Sequence, residues 1–250
     1  AFDEDMHIAV VGGKRVRIRL ADDLKEERSH SVSLSADLYH NFGRVQTNLL
    51  VEGFYTILDD VFALRDLEDT DDGGKIKERY NGSGAAVRGF NVEGRAIFTR
   101  WFELQAGVTL QQSRYKEPEQ WSEDADVPPV RRMFRTPDAY GYFTASFKPV
   151  RNFTADLTGT CTGSMLVQHM AGSGVAQDAA VSTPSFFDMN VRLSYDLRIY
   201  KEITLQLYGG VQNLFNAYQK DFDKGVDRDS GYIYGPSLPR SWFIGAKVSF

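Results

Sequence analysis

Residues 102–111, Phe-Glu-Leu-Gln-Ala-Gly-Val-Thr-Leu-Gln, alternate without a break between apolar and polar positions. Phe102, Leu104, Ala106, Val108 and Leu110 share one parity. Glu103, Gln105, Gly107, Thr109 and Gln111 share the other. A period of two is the signature of a strand with one greasy and one wet face. The same pattern spreads outward along the chain. Upstream, Val32, Leu34, Ala36 and Leu38 oppose Ser31, Ser33, Ser35 and Asp37; after a tight turn at Asn41-Phe42-Gly43-Arg44, Val45, Leu49, Val51, Tyr55 and Ile57 oppose Gln46, Asn48 and Glu52. This pair reads as a hairpin. The quoted strand pairs in the same way with 85–99. Residues 139–147 and 153–161 form a third pair, with Thr154, Thr158, Thr160 and Thr162 on one face of its second member, and 187–197 and 203–211 form a fourth. A last strand runs from Arg240 to Phe250. Residues 7–20, with Val10, Val11, Val16, Ile18 and Leu20, read as one more, giving about ten strands.

The connections alternate in length. Short turns lie near 41–44, 99–101, 148–152 and 198–202; long polar stretches lie at 58–84, 116–137, 168–185 and 215–239. All long links therefore fall at one end of an antiparallel sheet. Short turns on one side and long loops on the other, joined by strands of ~9 to 11 residues or more, describe a transmembrane β-barrel of the outer-membrane kind. Aromatic residues near strand ends fit the interfacial girdles of such a barrel, among them Tyr39, Phe42, Phe54, Tyr55, Trp101, Phe102, Tyr115, Phe153, Tyr200 and Trp242. A soluble β-sandwich is the alternative, but its strands are commonly ~5 to 6 residues.

Composition agrees with this reading and removes others. No run of about 18 apolar residues supports a helical span, and a mean hydropathy of −0.37 is compatible with a barrel whose strands are apolar only at every second position. Net charge is −5 and no basic stripe exists to neutralise phosphates, which argues against nucleic acid as a partner. Cys161 is the single cysteine, so there is no internal disulfide and no Cys/His zinc pattern. The first residues carry no basic-then-apolar secretion signal, from which a mature chain or a fragment is expected.

Several segments resemble the C-terminal barrel region of TonB-dependent outer-membrane receptors. Ala21-Asp22-Asp23-Leu24-Lys25-Glu26-Glu27 is similar to the family's N-P-x-L-K-P-E segment, departing at the customary Asn and Pro; Gly89-Phe90-Asn91-Val92-Glu93-Gly94 resembles its G-x-E strand, with an extra spacing. Arg135-Thr136-Pro137 resembles R-x-P. Val211-Gln212-Asn213-Leu214-Phe215-Asn216 resembles V-x-N-L-F-D, and Pro239-Arg240-Ser241 resembles the G-x-P-R-T approach to the final strand. That strand also has the form of a barrel-assembly signal, with Trp242, Ile244, Ala246, Val248 and Phe250 in register. The resemblance implies an outer-membrane receptor for active uptake of a small nutrient: a siderophore, haem, a vitamin such as cobalamin, or a glycan. It implies outer-membrane lipid as surroundings, a TonB-type energy transducer acting through a plug, and a surface lipoprotein as a further partner. Family members close about twenty-two strands around that plug. Residues 1–250 are accordingly expected to be the C-terminal barrel region alone, as a fragment, a separate subunit or an incompletely represented receptor, with the plug absent.

No cofactor motif, catalytic constellation or ligand-binding residue is identified by the sequence. Two acidic stretches, Asp66, Glu68, Asp69, Asp71, Asp72 and then Asp221, Asp223, Asp227, Asp229, invite a calcium reading but miss EF-hand spacing, so solvated loops are expected. Gly172 and Gly174 read as a flexible loop, and Asn81-Gly82-Ser83 as a loop turn. The enzymatic alternative is a small barrel with a protease-like site at its rim. His30 and His169 lie near the long-loop end, His40 by a short turn and His7 near the terminus; a His–carboxylate pair, or Ser164 with His169, would carry it.

Overall fold

A computed structural model of the chain describes residues 9–11, 14–69, 74–172, 174–225, 228–229 and 231–250. His7, Asp71, Asp72 and Asp227 lie outside these residues, and of Asp66, Glu68 and Asp69 only the backbone is described. The described residues are all-β and antiparallel except for one parallel strand pair and one parallel bridge. In chain order the strands are β1 (Ala9–Val11), β2 (Lys14–Leu20), β3 (Arg28–Phe42), β4 (Val45–Asp59), β5 (Phe62–Asp69), β6 (Lys75–Asn81), β7 (Ala85–Thr99) and β8 (Phe102–Glu119). There follow β9 (Val130–Arg132), β10 (Ala139–Val150), β11 (Phe153–Thr162), β12 (Leu166–His169), β13 (Ala179–Ser182), β14 (Phe186–Tyr200), β15 (Ile203–Gln212) and β16 (Ser241–Ser249).

Nine of these form one continuous ladder, β16-β15-β14-β11-β10-β8-β7-β4-β3, with β9 as a short addition to β8. The ladder is an open portion of a barrel wall. Its registers turn sequence alternation into two unlike surfaces. One row runs Ala36, Val51, Val92, Val108, Gly141, Cys161 and Phe187 across seven strands. The row next to it on the opposite face runs Ser35, Glu52, Asn91, Thr109, Tyr140 and Thr162. Polar neighbours satisfy one another there: Asn91 Nδ2 donates to Glu52 at 2.9 Å and Thr109 to Asn91 at 2.8 Å. Glu93 accepts from Gln105 at 2.9 Å and from the Tyr142 hydroxyl at 2.5 Å. On the apolar face no second sheet covers the side chains among the described residues; Leu34 is 81% exposed and Ile244 92%. A β-sandwich would bury them, so the uncovered face is the one that meets lipid.

The short turns at Gly43-Arg44, Arg100-Trp101, Arg151-Asn152 and Lys201-Glu202 share one end, as expected. Gly43 has φ +64°, which suits a residue without a Cβ. On the apolar face close to these turns, Phe102 and Phe147 lie 4.7 Å apart, with Trp101 and Phe98 beside them, an aromatic girdle at the water boundary. Three residues assigned to the girdle from sequence do not belong: Tyr39, Phe54 and Tyr115 have polar-face parity, and the Tyr39 hydroxyl donates to Asp37. Close packing also appears on the outer face. Phe143 lies so near Gly159 that a Cβ there would come within 2.1 Å of its ring.

Three expectations are corrected. Residues 7–20 are not one strand of the barrel: β1 and β2 pair with each other, and β2 runs parallel to β6 in a separate four-stranded sheet, β1-β2-β6-β5. The stretch 58–84 contains β5 and β6, and 168–185 contains most of a small hairpin, β12-β13. Asn81-Gly82-Ser83 is no simple turn, because the Asn81 amide ties the chain at Lys25 and Asp60 through bonds of 2.7–3.0 Å. The barrel strands therefore begin at Arg28.

The two faces predict opposite responses to charge. Val92→Arg, in the middle of the apolar rows, is expected to cost about 2–4 kcal/mol of folding stability in bilayers. Thr160→Arg, at similar depth on the polar face, should cost almost nothing, as measured by denaturant unfolding into phospholipid vesicles.

Candidate functional site

The long-loop end carries a cavity of about 460 Å³, within the usual range for small-molecule sites of ~300–1,000 Å³. Its wall draws on the small sheet (Phe62, Leu64), the end of β8 and the loop after it (Tyr115, Trp121), the segment before β10 (Phe134, Arg135), and residues from β12 and the last long loop. Tyr115 continues the polar-face parity of β8, so the cavity stands above the wet side of the sheet.

Each wall is tied to its neighbour. The Tyr80 hydroxyl donates to Glu119 at 3.2 Å, joining the small sheet to the extension of β8. The loop after β8 is folded around Gln120, whose amide donates to the carbonyls of Ser122, Asp124 and Val127. Ser122 in turn donates to Asp178, which also accepts from the Ala171 amide, both at 2.7 Å. Trp121 meets Phe134 edge-on at 5.3 Å. Its indole Nε1 is buried and has no hydrogen-bond acceptor among the described residues. A buried donor left without a partner favours anything that brings an acceptor.

The last long loop closes the site. Val167, Phe186, Tyr232 and Tyr234 form a buried apolar cluster supported by Met165, Val181 and Ala217. Around it lies a polar latch. Gln219 is buried and holds both Tyr232 O (3.1 Å) and Tyr234 N (2.9 Å). His169 stacks flat on Tyr232 at 3.8 Å, and its Nε2 meets the Asp223 carboxylate at 3.0–3.1 Å. Asp229 accepts from the amides of Met170 and Gly231 at 2.9 and 2.8 Å. Arg135, with φ +57°, donates through its guanidinium to the carbonyls of Ile233 and Gly231. Sequence reading of the second acidic stretch as solvated is thus overturned for Asp223 and Asp229: backbone amides and a histidine hold them. No group of three or more His, Cys, Asp or Glu side chains among the described residues is placed to hold a metal ion.

The residues of the enzymatic alternative are not brought together. His30 stands on the apolar-face parity of β3, opposite Ile57, while His169 is buried in the latch. No Ser164–His169 hydrogen bond forms among the described residues, and the Ser164 carbonyl accepts from Arg132 at 2.6 Å. His40 sits by its short turn, packed against Phe42 at 4.3 Å. What sequence reading missed are Trp121, Phe134 and Gln219. Their only signal was aromatic or amide character inside stretches otherwise rich in acids. On β16, Trp242, Ile244, Ala246 and Val248 stand in register with Val211, Gly209, Leu207 and Leu205, and Phe250 follows.

Asp221 accepts from the hydroxyls of Tyr232 at 2.8 Å and Tyr234 at 2.5 Å. Burial raises its carboxyl, but the tyrosine hydroxyls together with backbone and Gln219 donors outweigh it, leaving Asp221 below the usual carboxylate range. Burial first, and then the bond to Asp221, raises both tyrosines above their ordinary value, Tyr234 furthest. The depressed acid stabilises the loop above its unfolded value of ~4 and loses that contribution as pH falls through the folded value. The raised tyrosines stabilise below ~10 and lose their contribution as pH rises through the folded values. Amide exchange at residues 217–234, corrected for its intrinsic pH dependence, should show flat protection at intermediate pH and loss at both extremes. Asp221→Asn should abolish the acid-side loss.

The sequence model of the family described as TonB dependent receptor-like, beta-barrel, matches residues 9–214. No curated protein matches the chain. Among solved structures, the ferric-catecholate import receptor Fiu from K12 E. coli superposes with a TM-score of 0.60 at 19% identity, covering 90% of this chain and 28% of that one. The copper transporter OprC superposes with 0.61 at 14% identity, covering 90% and 31%. The FrpB iron transporter from Neisseria meningitidis superposes with 0.58 at 16% identity, covering 94% and 33%. At these identities the likeness is one of fold, and this chain spans about a third of their length. Matched by the family over most of its residues, and built as an apolar-out, polar-in wall, the chain belongs to the β-barrel domain of the TonB-dependent receptors, proteins of the outer membrane.

Proposed function

We propose that this chain forms part of the wall of a receptor that captures a small nutrient at the cell surface and passes it inward, driven by a TonB-type transducer acting through a plug outside these residues. The observation that supports this reading most directly is the aromatic-lined cavity above the polar face, with Phe62, Tyr115, Trp121 and Phe134 in its wall. Siderophores, haem, cobalamin and glycans all offer rings and oxygen acceptors to such a surface. The test is uptake by receptor-deficient cells supplied with the wild-type gene or Trp121→Ala. Surface binding of the transported compound should weaken about tenfold in the variant. Collapse of the proton-motive force should stop accumulation and leave surface binding intact; accumulation that persists without it contradicts the coupling.

We further propose that residues 1–250 are the C-terminal barrel region and that other strands complete the barrel. Among the described residues both margins of the ladder, β3 and β16, are without a neighbouring strand, and open edges are not tolerated in hydrocarbon. In this reading Trp242, Ile244, Ala246, Val248 and Phe250 act as the assembly signal on the last strand. Phe250→Ser with Trp242→Ser should reduce the heat-modifiable, membrane-inserted receptor several-fold while the same substitutions at Phe215 and Phe222 do not. Unchanged insertion would remove the signal role.

A further inference from the structure

The outward face of the sheet carries a recess that transport through the lumen does not use. In the row Leu34, Gly53, Phe90, Leu110, three large apolar residues stand in register with one glycine. The missing side chain leaves a groove of about 580 Å³ in a face otherwise filled by branched and aromatic residues. Gly53 is its floor, and the edge of the Phe90 ring lies 3.4 Å from where a Cβ would stand. Leu34 and Phe90 are 81% and 63% exposed, so the groove opens away from the sheet.

One row nearer the long-loop end, Val32, Tyr55, Arg88 and Gln112 stand in register on the same face. Hydrocarbon therefore gives way to a guanidinium over a single two-residue step, roughly 7 Å. Arg88 makes no ion pair among the described residues. Its Nε and Nη2 donate to the neutral Gln112 Oε1 at 3.2 and 2.7 Å. Arg88 Nη1 and the Gln112 amide nitrogen are left as donors with no acceptor among the described residues. The one acid that lines the groove, Asp138, is already held by Arg132 at 3.2 Å and Arg114 at 3.5 Å, and Arg88 makes no ion pair with it.

We infer that this groove seats an acyl chain of a phosphorylated lipid of the outer leaflet, with the phosphate on Arg88 and Gln112. The order of the chemistry matches such a lipid along the membrane normal: an apolar slot, then a positive charge with free donors, on the face that meets lipid and at the end that faces outside. A phosphate accepts from a guanidinium and an adjacent amide together. A zwitterionic head would bring its ammonium toward the Arg88 guanidinium.

The test uses receptor extracted from outer membranes in a neutral detergent. It is mixed with diphosphoryl lipid A or with the same lipid stripped of phosphate, and retained lipid is counted by native mass spectrometry. The phosphorylated form should be retained about tenfold better. Arg88→Ala should bring its retention down to that of the stripped form, while Arg88→Lys keeps most of it. Gly53→Leu, which fills the groove, should lower retention of both. Equal retention of the two lipids, or unchanged retention by Arg88→Ala, overturns the proposal; unchanged retention by a folded Gly53→Leu overturns the acyl seat. Arg88 is exposed, so its substitution tests the head site whether or not Gly53→Leu folds.

Discussion

A backbone that crosses hydrocarbon has no water to accept its hydrogen bonds, and every N–H and C=O must find a partner in the protein. The ladder from β3 to β16 is organised around that demand. The β3–β4 pairing runs unbroken from Arg28 opposite Asp59 to Phe42 opposite Val45, and the β11–β14 pairing from Phe153 opposite Tyr195 to Thr162 opposite Phe186. Irregularities occur, but only near the ends. The shifts at Ile97/Thr99, Phe147/Val150 and Arg198/Tyr200 all adjoin short turns, and that between β8 and β9 lies at the long-loop end. Bulges leave backbone groups unpaired, and they gather where water can serve them.

Once the ladder is fixed, burial is inverted relative to a soluble protein. Apolar side chains point outward to lipid, and the inward side is a mesh of Glu, Asn, Gln, Thr and Tyr that bond to one another. The buried apolar cluster of Val167, Phe186, Tyr232 and Tyr234 lies above the sheet, among the loops. Those loops stand in water and have no lipid to hold them, so they need a core of their own. The same requirement recruits His169, Asp223 and Asp229, whose bonds hold the last loop against the end of β12, and Gln219, which ties the last loop to itself. A rigid mouth over a polar lumen is the consequence, and the cavity is the space between its tied segments.

This division also decides what could be read from sequence. Parity is a local property, so the nine long strands, their turns and the two faces were legible within a residue or a few at each end. The small sheet was not. Val16 pairs with Lys75 in parallel, with the whole β3–β4 hairpin between them in sequence, and nothing local in either segment announces that contact. The latch is hidden for the same reason: His169 and Asp223 lie 54 positions apart, and Arg135 reaches Ile233 over 98. Acidity misled directly. Asp223 and Asp229 sit in a stretch whose composition reads as solvated, yet their partners are amides and a ring that only the folded loop brings near. The walls of the cavity were hidden for the same reason, since they come from segments far apart in the chain.

The V-x-N-L-F-like segment shows where the legible and the hidden parts meet. Asn213 is buried, with φ +49°, at the point where β15 stops. Its amide nitrogen donates to the carbonyls of Ala217 and Leu238 at 2.8 and 2.9 Å, and its oxygen accepts from Ala217 N at 2.8 Å. Its own N–H is taken by Asn190 on β14 at 2.9 Å. One side chain thus stands at the end of the ladder and pins together both feet of the last long loop, closing the span from 217 to 238 at its base. No aspartate can do the same, because a carboxylate has no donor for the two carbonyls. Closing the base uncouples the loop above from the sheet below. The motif is therefore specific about how the last strands end and silent about the loop above them.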